Sequence, residues 1–248
     1  MNGHPLLEAR GVTVRFGGLT AVDAVSAAFA PGELVGIIGP NGAGKTTFFN
    51  ALSGVIAPTA GDLYALGTRL TGARPHHYAQ RGIARTFQTP RVFADLSVAA
   101  NIDFGLQFAG RRRQASWLLK DEASILNLIG LATQAALPAG AITPSQQRLL
   151  EIGMALATRP RLLLLDEVAA GLTENEVDEM AQLIRRLRDE LDLTVIWIEH
   201  AVTTLLKYVE RVIVLHQGRK VADGTPAEVV RNAEVIEAYL GDEMVEAA

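Results

Sequence analysis

The stretch that most constrains the fold is the glycine-rich run Gly39-Pro40-Asn41-Gly42-Ala43-Gly44-Lys45-Thr46-Thr47. Glycine, four residues and then Gly-Lys-Thr is the spacing of a phosphate-binding loop, whose main-chain N–H groups point at an anion. An apolar run, 34–38, predicts a buried parallel strand before the loop, and 46–52 predicts a helix after it. The alternative is a glycine-rich turn that contains a lysine by chance. This alternative explains the pattern poorly, because the chain has only four lysines and one of them stands at the required position. The sequence therefore predicts a nucleoside triphosphate site.

The lysine and the first threonine of such a loop carry its ligand chemistry. Lys45 reaches the β- and γ-phosphates, and the hydroxyl of Thr46 holds Mg²⁺. The N-terminus of the following helix adds a partial positive charge. We therefore expect magnesium to accompany the nucleotide.

Composition narrows the class of protein further. With 248 residues, 49% of them apolar, the chain is long enough for one large α/β domain or a domain with a subdomain. A net charge of −4 gives no electrostatic case for nucleic acid as a partner, and without cysteine there is no disulfide or thiolate metal site. The start of the chain lacks signal-peptide features, and no apolar run approaches the ~18 residues of a membrane span. We expect a soluble intracellular protein with at most a peripheral membrane role.

Strand and helix patterns alternate along the chain, which predicts right-handed crossovers and a mainly parallel sheet with its ligand at the strand C-terminal ends. The periodicity of apolar residues becomes helical from 96 to 134, which indicates a helical insertion. Residues 139–145 are predicted to form a loop. Predicted strands are 6–16, 21–29, 34–38, 63–66, 83–87, 162–166 and 194–198, with a hairpin of 211–215 and 219–221. Predicted helices are 75–81, 146–158, 174–191 and 226–240.

Three of the predicted strands end in polar residues that suit phosphate chemistry. Asp166 can hold the hydration shell of Mg²⁺, and Glu167 beside it can orient and deprotonate a water. His200 can hydrogen-bond a γ-phosphate, and Gln88 can contact Mg²⁺ and water through its amide. Each has a structural alternative, since a histidine at a strand end is often a satisfied structural residue and paired acids often cap a helix.

The order of these residues behind the loop resembles the ATP-binding subunit of ABC transporters over essentially the whole chain. The resemblance assigns 39–47 to the Walker A loop, Gln88 to the Q-loop, Asp166 to Walker B, Glu167 to the catalytic glutamate and His200 to the switch histidine. It also implies that Phe16 stacks on adenine, with a core aromatic as the alternative. Segments that resemble the branched-chain amino acid uptake subclass are 14–18, 85–88, 169–172, 223–226 and 238–241.

The resemblance implies an α/β fold of one ABC ATPase domain. A RecA-like P-loop NTPase core with an N-terminal antiparallel β subdomain covers 1–88 and 159–248, and a helical subdomain covers 89–158. It implies ATP and Mg²⁺ as ligands, and ATP hydrolysis that drives uptake of branched-chain or related amino acids, or another small polar solute. Alternatives are lipid export and a soluble ABC ATPase without transport. A phosphate-loop GTPase is disfavoured because the chain has no Asn-Lys-x-Asp guanine reader, and a kinase would not explain Phe16, the helix start at 146–148 and His200 together.

The resemblance also implies partners and a location. Such subunits pair as two ATPases beneath two membrane-spanning permease subunits, which a periplasmic solute-binding protein supplies. The chain would then lie on the cytoplasmic face of the cell membrane. Arg111-Arg112-Arg113 is a solvated charged face or a contact with the membrane subunit or lipid headgroups. Val92, Phe93 and Leu96 are candidates for contact with the membrane subunit, or for core packing.

The sequence departs from the family where Leu-Ser-Gly-Gly-Gln is usual, since it reads Ile142-Thr143-Pro144-Ser145-Gln146. In the family this segment caps the nucleotide of the opposite subunit, so Thr143, Ser145 and Gln146 are candidates for contact in trans. Pro144 has no N–H. Val168 and Thr173 replace a usual proline and aspartate. We expect an intact ATP holder with an altered cap, hence one strong and one weak site in a heterodimer, and weak ATPase in a homodimer.

Overall fold

The computed structural model describes residues 5–109, 118–199 and 202–246, with side chains to residue 239. A six-stranded sheet lies at its centre, in the order β10-β9-β3-β8-β7-β6. The strands from β9 to β6 are parallel, and β10 adds an antiparallel edge. The strands are β3 (Leu34–Ile38), β6 (Ile83–Arg85), β7 (Leu162–Asp166), β8 (Thr194–Ile198), β9 (Arg211–His216) and β10 (Arg219–Gly224).

A second sheet, antiparallel and four-stranded, has the order β2-β1-β4-β5. Its strands are β1 (Leu7–Phe16), β2 (Leu19–Phe29), β4 (Ala60–Ala65) and β5 (Thr68–Arg69). The predicted α/β class, with a mainly parallel core sheet and an N-terminal antiparallel sheet, is thus confirmed.

Helices cover both faces of the central sheet, which explains why its strands read as continuous apolar runs. Every residue of β3, β7 and β8 is buried, as expected for parallel strands packed on both sides. Val35 and Ile37 face one core with the antiparallel sheet, whereas Leu34 and Ile38 face the other, helical core. The alternation of side chains along a strand therefore divides one sheet between two cores.

The helices largely follow the predictions. They are α1 (Lys45–Leu52), α2 (Pro75–Gln80), α3 (Val98–Gln107), α4 (Glu122–Leu128), α5 (Pro144–Ala157), α6 (Glu174–Leu191), α7 (Val202–Tyr208), α8 (Pro226–Val229) and α9 (Ala233–Glu246). Helix α6 has the predicted bounds, because its apolar stripe is continuous and Thr173 caps its start. Among the described residues, no helix is long and apolar enough to cross a membrane.

The ends of several predicted elements shift: the predicted strand 63–66 is β4 (Ala60–Ala65), strand 219–221 extends to Gly224, and helix 146–158 is α5, which begins at Pro144 within the predicted loop 139–145. Two predicted elements are interrupted. The predicted helix 226–240 is divided, because the side chain of Asn232 accepts hydrogen bonds from Glu234 N and Val235 N and starts α9 anew. The predicted strand 83–87 ends at Arg85, because Phe87 N donates to the side chain of Glu151 instead of to a neighbouring strand. In both places a side-chain acceptor competes with regular backbone pairing.

Candidate functional site

The glycine-rich loop leaves β3 and enters α1 through backbone positions that admit no side chain. A Cβ on Gly39 would lie 2.2 Å from the carbonyl oxygen of Leu215, and a Cβ on Gly44 would lie 2.3 Å from that of Ala21. Gly44 is also the N-cap of α1, with a φ of 95° and no side-chain cap. The first N–H groups of α1 therefore have no capping side chain and face the loop, which suits an anion.

Lys45 folds back over this loop. Its Nζ donates to the carbonyl oxygen of Gly39 and, at 3.0 Å, to that of Pro40. Burial lowers the pKa of Lys45, while the negative charge of Glu167 opposes that change. The loop thus holds a desolvated positive charge at the position where the sequence places phosphate.

The strand ends meet at one edge of the central sheet. Ile198 of β8 pairs with Ile37 of β3 on one side and with Asp166 of β7 on the other. Directly after β7, Glu167 has a φ of 50° and donates its N–H to the carbonyl oxygen of Ile198. A positive φ is uncommon outside glycine, so the chain turns sharply at this carboxylate.

Gln88 and Glu167, two of the residues selected from the sequence, are in direct contact. The Nε2 of Gln88 donates to Oε2 of Glu167 at 2.7 Å, although the two residues are 79 positions apart in the chain. Glu167 is buried, with 5% of its surface exposed. The structure therefore places a hydrogen-bonded amide and carboxylate beside the loop lysine.

Asp166 is buried and tied to a residue that sequence reasoning did not select. Its Oδ2 accepts from Nη2 of Arg85 at 3.2 Å. Arg85 also donates to Oδ1 of Asn50 at 2.7 Å and to Oγ of Ser53 at 2.8 Å, both in or directly after α1. Burial lowers the pKa of Arg85, and the charge of Asp166 opposes this. A charged residue at the end of a short apolar strand was the signal that could have revealed it.

The glycine-rich loop, Gln88 and Glu167 line an open cleft of about 650 Å³. Phe16, at the turn between β1 and β2, lies at its edge with half of its surface exposed, so this aromatic is outside the core. The residues that line the cleft include Phe16, Leu19, Thr20, Ala21, 41–47, Gln88, Glu167, Gln217 and Gly218. One cleft therefore contains an aromatic platform, an anion-binding loop and a carboxylate with an amide partner.

The altered signature segment lies outside this cleft, at the start of α5. Thr143 N donates to Oε1 of Gln146 at 3.0 Å, and Gln146 N donates to Oγ1 of Thr143 at 3.3 Å. The hydroxyls of Thr143 and Ser145 are 3.0 Å apart. The polar groups of the segment therefore form a capping box in their own chain.

His200 and Arg111-Arg112-Arg113 lie outside the described residues. The residue before His200, Glu199, is buried, and sequence reasoning gave it no role. Its Oε1 accepts from Ala169 N at 2.7 Å and from Nε1 of Trp197 at 3.0 Å. This carboxylate ties the end of β8 to the loop that follows Glu167.

Comparison with known families and proteins agrees with this geometry. The family model for the ABC transporter matches residues 22–170, and that for the branched-chain amino acid ATP-binding cassette transporter matches residues 219–245. The chain is 39% identical to the high-affinity branched-chain amino acid transport ATP-binding protein BraF of Pseudomonas aeruginosa. It is also 39% identical to LivG of Escherichia coli K12, which bears the same description. Each alignment covers 96% of this chain and 99% of the relative.

Solved structures show the same fold. A nucleotide-free ATP-binding cassette from an ABC transporter has a TM-score of 0.82 at 27% identity, covering 95% of this chain and 98% of that one. A cassette in its ADP conformation has a TM-score of 0.82 at 28% identity, covering 96% of this chain and 99% of that one. The chain therefore belongs to the family of ABC transporter ATP-binding subunits, and it is an ATPase whose ATP hydrolysis is coupled to transmembrane transport.

Proposed function

We propose that this ATPase energises uptake of branched-chain amino acids, or of a related small polar solute, from the cytoplasmic face of the cell membrane. Relatives that are 39% identical to this chain have branched-chain amino acid transport in their names, and the alignments cover 99% of their length. The match of residues 219–245 to the branched-chain family model supports the same subclass. Cargo selection would rest with the membrane and binding-protein partners.

The hydrogen bond between Gln88 and Glu167 beside the glycine-rich loop is the observation that carries the catalytic proposal. Glu167 would orient and deprotonate the attacking water, and Gln88 would fix that carboxylate and the water. Lys45 and the main-chain N–H groups of 39–47 would bind the phosphates of ATP. Phe16 would stack on the adenine, and His200 would contact the γ-phosphate.

The donor chemistry of the site fits magnesium. Thr46, Gln88 and Asp166 offer a hydroxyl, an amide and a carboxylate oxygen, which are the hard ligands that Mg²⁺ prefers. Among the described residues, no cluster of three or more His, Cys, Asp or Glu suits a metal. Phosphate and water would thus complete the shell, and the bound ion would neutralise charge that develops on the phosphates. Arg85 would hold Asp166 in place.

The proposed assembly pairs this chain with a second ABC ATPase, two membrane-spanning permease subunits and an extracytoplasmic solute-binding protein, without nucleic acid. Thr143, Ser145 and Gln146, in the helical subdomain 89–158, would cap the nucleotide of the paired subunit. Because Pro144 lacks an N–H, this cap would be weaker than the partner's. A heterodimer would then have one strong hydrolytic site, on this chain, and one weak site.

Glu167→Gln in the assembled transporter tests the catalytic role. We expect ATP turnover to fall by about 10²- to 10⁴-fold while Mg-ATP still binds, because the amide cannot act as a base. Glu237→Gln, which removes an equal charge from the exposed face of α9, is the control and should leave turnover unchanged. Unchanged turnover in Glu167→Gln, or no Mg-ATP affinity in the wild type, would refute the proposal.

The pairing and the cargo need separate measurements. Glu167→Gln on this chain should lower ATPase activity more than the matching change on the partner, and equal losses would refute the asymmetry.

Proteoliposomes with the full complex and binding protein should accumulate labelled leucine when ATP is inside. Failure with leucine and with other branched-chain or small polar solutes would refute uptake of this class.

A further inference from the structure

A buried carboxylate in the middle of α5 holds both ends of the loop that contains Gln88. Oε2 of Glu151 accepts from Phe87 N at 3.2 Å, and its Oε1 accepts from Arg91 N at 3.0 Å. These donors lie one residue before and three residues after Gln88. Glu151 itself is 6% exposed. Both carboxylate oxygens therefore bind main-chain N–H groups of one loop.

The surroundings of Glu151 strengthen this attachment. The ring of Phe87 lies under two guanidinium groups, with Arg91 at 3.8 Å and Arg85 at 4.5 Å from its centroid. Arg85 is the residue that binds Asp166, so the same contacts continue to the end of β7. The loop is thus joined on one side to α5 and on the other to the proposed hydrolytic centre.

We propose that Glu151 is a positioning residue that holds the Gln88 loop against α5 and thereby aligns the Gln88 amide with Glu167. The inference rests on the proposed roles of Gln88 and Glu167. The last N–H that donates to β7 is that of Thr86, which reaches the carbonyl oxygen of Leu164 at 2.9 Å. Beyond it, Glu151 supplies the acceptors for Phe87 N and Arg91 N. Without it, two N–H groups of the loop lose their acceptor and the loop loses its fixed distance from Glu167.

Burial of Glu151 also affects its pKa. Burial raises the pKa of Glu151 to about 7, against the opposing effects of the Arg91 and Phe87 N–H groups and of two guanidinium charges. The charged or titratable groups around it are Arg91 on the loop, Arg85 at the end of β6, and His76 of α2, which lines a surface groove together with Glu151. The ionised form accepts from both N–H donors at once, so it is the form that holds the loop.

Glu151→Gln in the full-length protein is the test, with Glu237→Gln as the matched control. In the absence of nucleotide, we expect faster amide hydrogen exchange at 86–92 in Glu151→Gln, with the remainder of the chain unchanged. The amide can accept one of the two bonds but places its own N–H₂ against the other donor. Uniformly faster exchange, or no change at 86–92, would overturn the proposal.

Kinetics of the assembled complex give the second readout. We expect Glu151→Gln to lower kcat by about 10- to 100-fold with KM for ATP changed by less than about threefold, because misplacement affects chemistry more than binding. A rise in KM without a fall in kcat would overturn the inference. If Glu151→Gln does not fold, Glu151→Asp keeps the charge but withdraws it by one methylene, and it should show the same pattern. A large effect of Glu167→Gln with none of Glu151 variants would refute this inference alone.

Discussion

Helices α1 and α5 both begin at segments that the sequence connects with nucleotide, yet their N-termini are built in opposite ways. Helix α1 begins at Gly44, which supplies no side chain to cap it. Helix α5 begins at Thr143, which forms a capping box with Gln146. The first N–H groups of α1 have no capping side chain, whereas in α5 the side chain of Thr143 accepts from Gln146 N.

The contrast gives a physical basis for the proposal that this chain has an intact ATP site and an altered cap for its partner. Proline at the first position of α5 is favourable for the helix, because the N–H it lacks has no partner within a helix. Gln146 N donates to the side chain of Thr143, so Ser145 N is the remaining donor of that turn. The segment is therefore well formed as a helix start but poor in donors for a phosphate.

Among changes in α1 and α5, Gly44→Ala should produce the largest effect. Its Cβ would lie 2.3 Å from the carbonyl oxygen of Ala21, and its φ is 95°. We expect ATP turnover to fall by at least about 10²-fold, since the loop donors lose their geometry. Gly42→Ala is the comparison, because at φ 76° it has no atom within 4 Å of the Cβ and adds only about 1–2 kcal/mol of strain. Equal losses of Mg-ATP affinity in the two variants would contradict this account.

The pH dependence of turnover and of stability tests Glu151, which lies in the middle of α5 rather than at its start. Turnover should rise about tenfold as Glu151 ionises through its pKa of about 7, and Glu151→Gln should flatten that rise. The free energy of unfolding should change in the opposite direction. The stabilisation that comes from the raised pKa of Glu151 is complete below the usual carboxyl pKa of 4.5, and it is lost as pH rises through about 7. This group should change the free energy of unfolding by at most about 1.4 kcal/mol per pH unit. Parallel pH curves for the wild type and Glu151→Gln, in denaturant melts and in ATPase assays, would be the contrary result.

Pro144→Ser asks whether the missing N–H weakens the cap. Restoring one donor at the start of α5 should raise turnover at the partner's site by about two- to tenfold, the value of one net hydrogen bond. The gain should persist when Glu167→Gln silences this chain's own site, because the cap serves the partner's nucleotide. An unchanged rate in that background would show that the N–H is not limiting.

Thr143→Ala should have the smallest effect. Loss of the capping box should lower the free energy of unfolding by about 1 kcal/mol, measured by denaturant melts. Thr225→Ala is a matched control, because Thr225 caps α8 with the same Thr-Pro start and its own capping box. Both variants should lose stability, but only Thr143→Ala should also lower ATPase activity of the complex. Equal ATPase rates in both would argue against contact in trans.

The sequence predicted elements whose cause is local. Strands β3, β7 and β8 and helix α6 follow from continuous apolar runs and one apolar stripe, so their bounds were predicted to within a residue. The end of β6 was missed because its competitor, Glu151, lies 64 positions from Phe87. The break before α9 was missed because a single side chain, that of Asn232, decides it.

The candidate site likewise has a part that local sequence predicts and a part that it does not. The glycine-rich loop is contiguous in the chain, so its donors could be identified from spacing alone. Arg85 and Asp166 are 81 positions apart, and their ion pair depends on the pairing of β6 with β7. Long-range contacts of this kind follow from sheet order, which a pattern of apolar residues does not specify. The roles given to the site residues therefore remain predictions for the experiments above.

The resting arrangement of Lys45 has a consequence for ligand choice. Its ammonium is buried and donates to the carbonyl oxygens of Gly39 and Pro40. An incoming molecule must accept the third N–H or displace those neutral acceptors, and a multiply charged oxyanion does so far better than a sugar or a base. We therefore expect adenosine to compete weakly with ATP, even though Phe16 offers it a stacking surface. The number of phosphates in the ligand, rather than its adenine ring, should determine its affinity for the site.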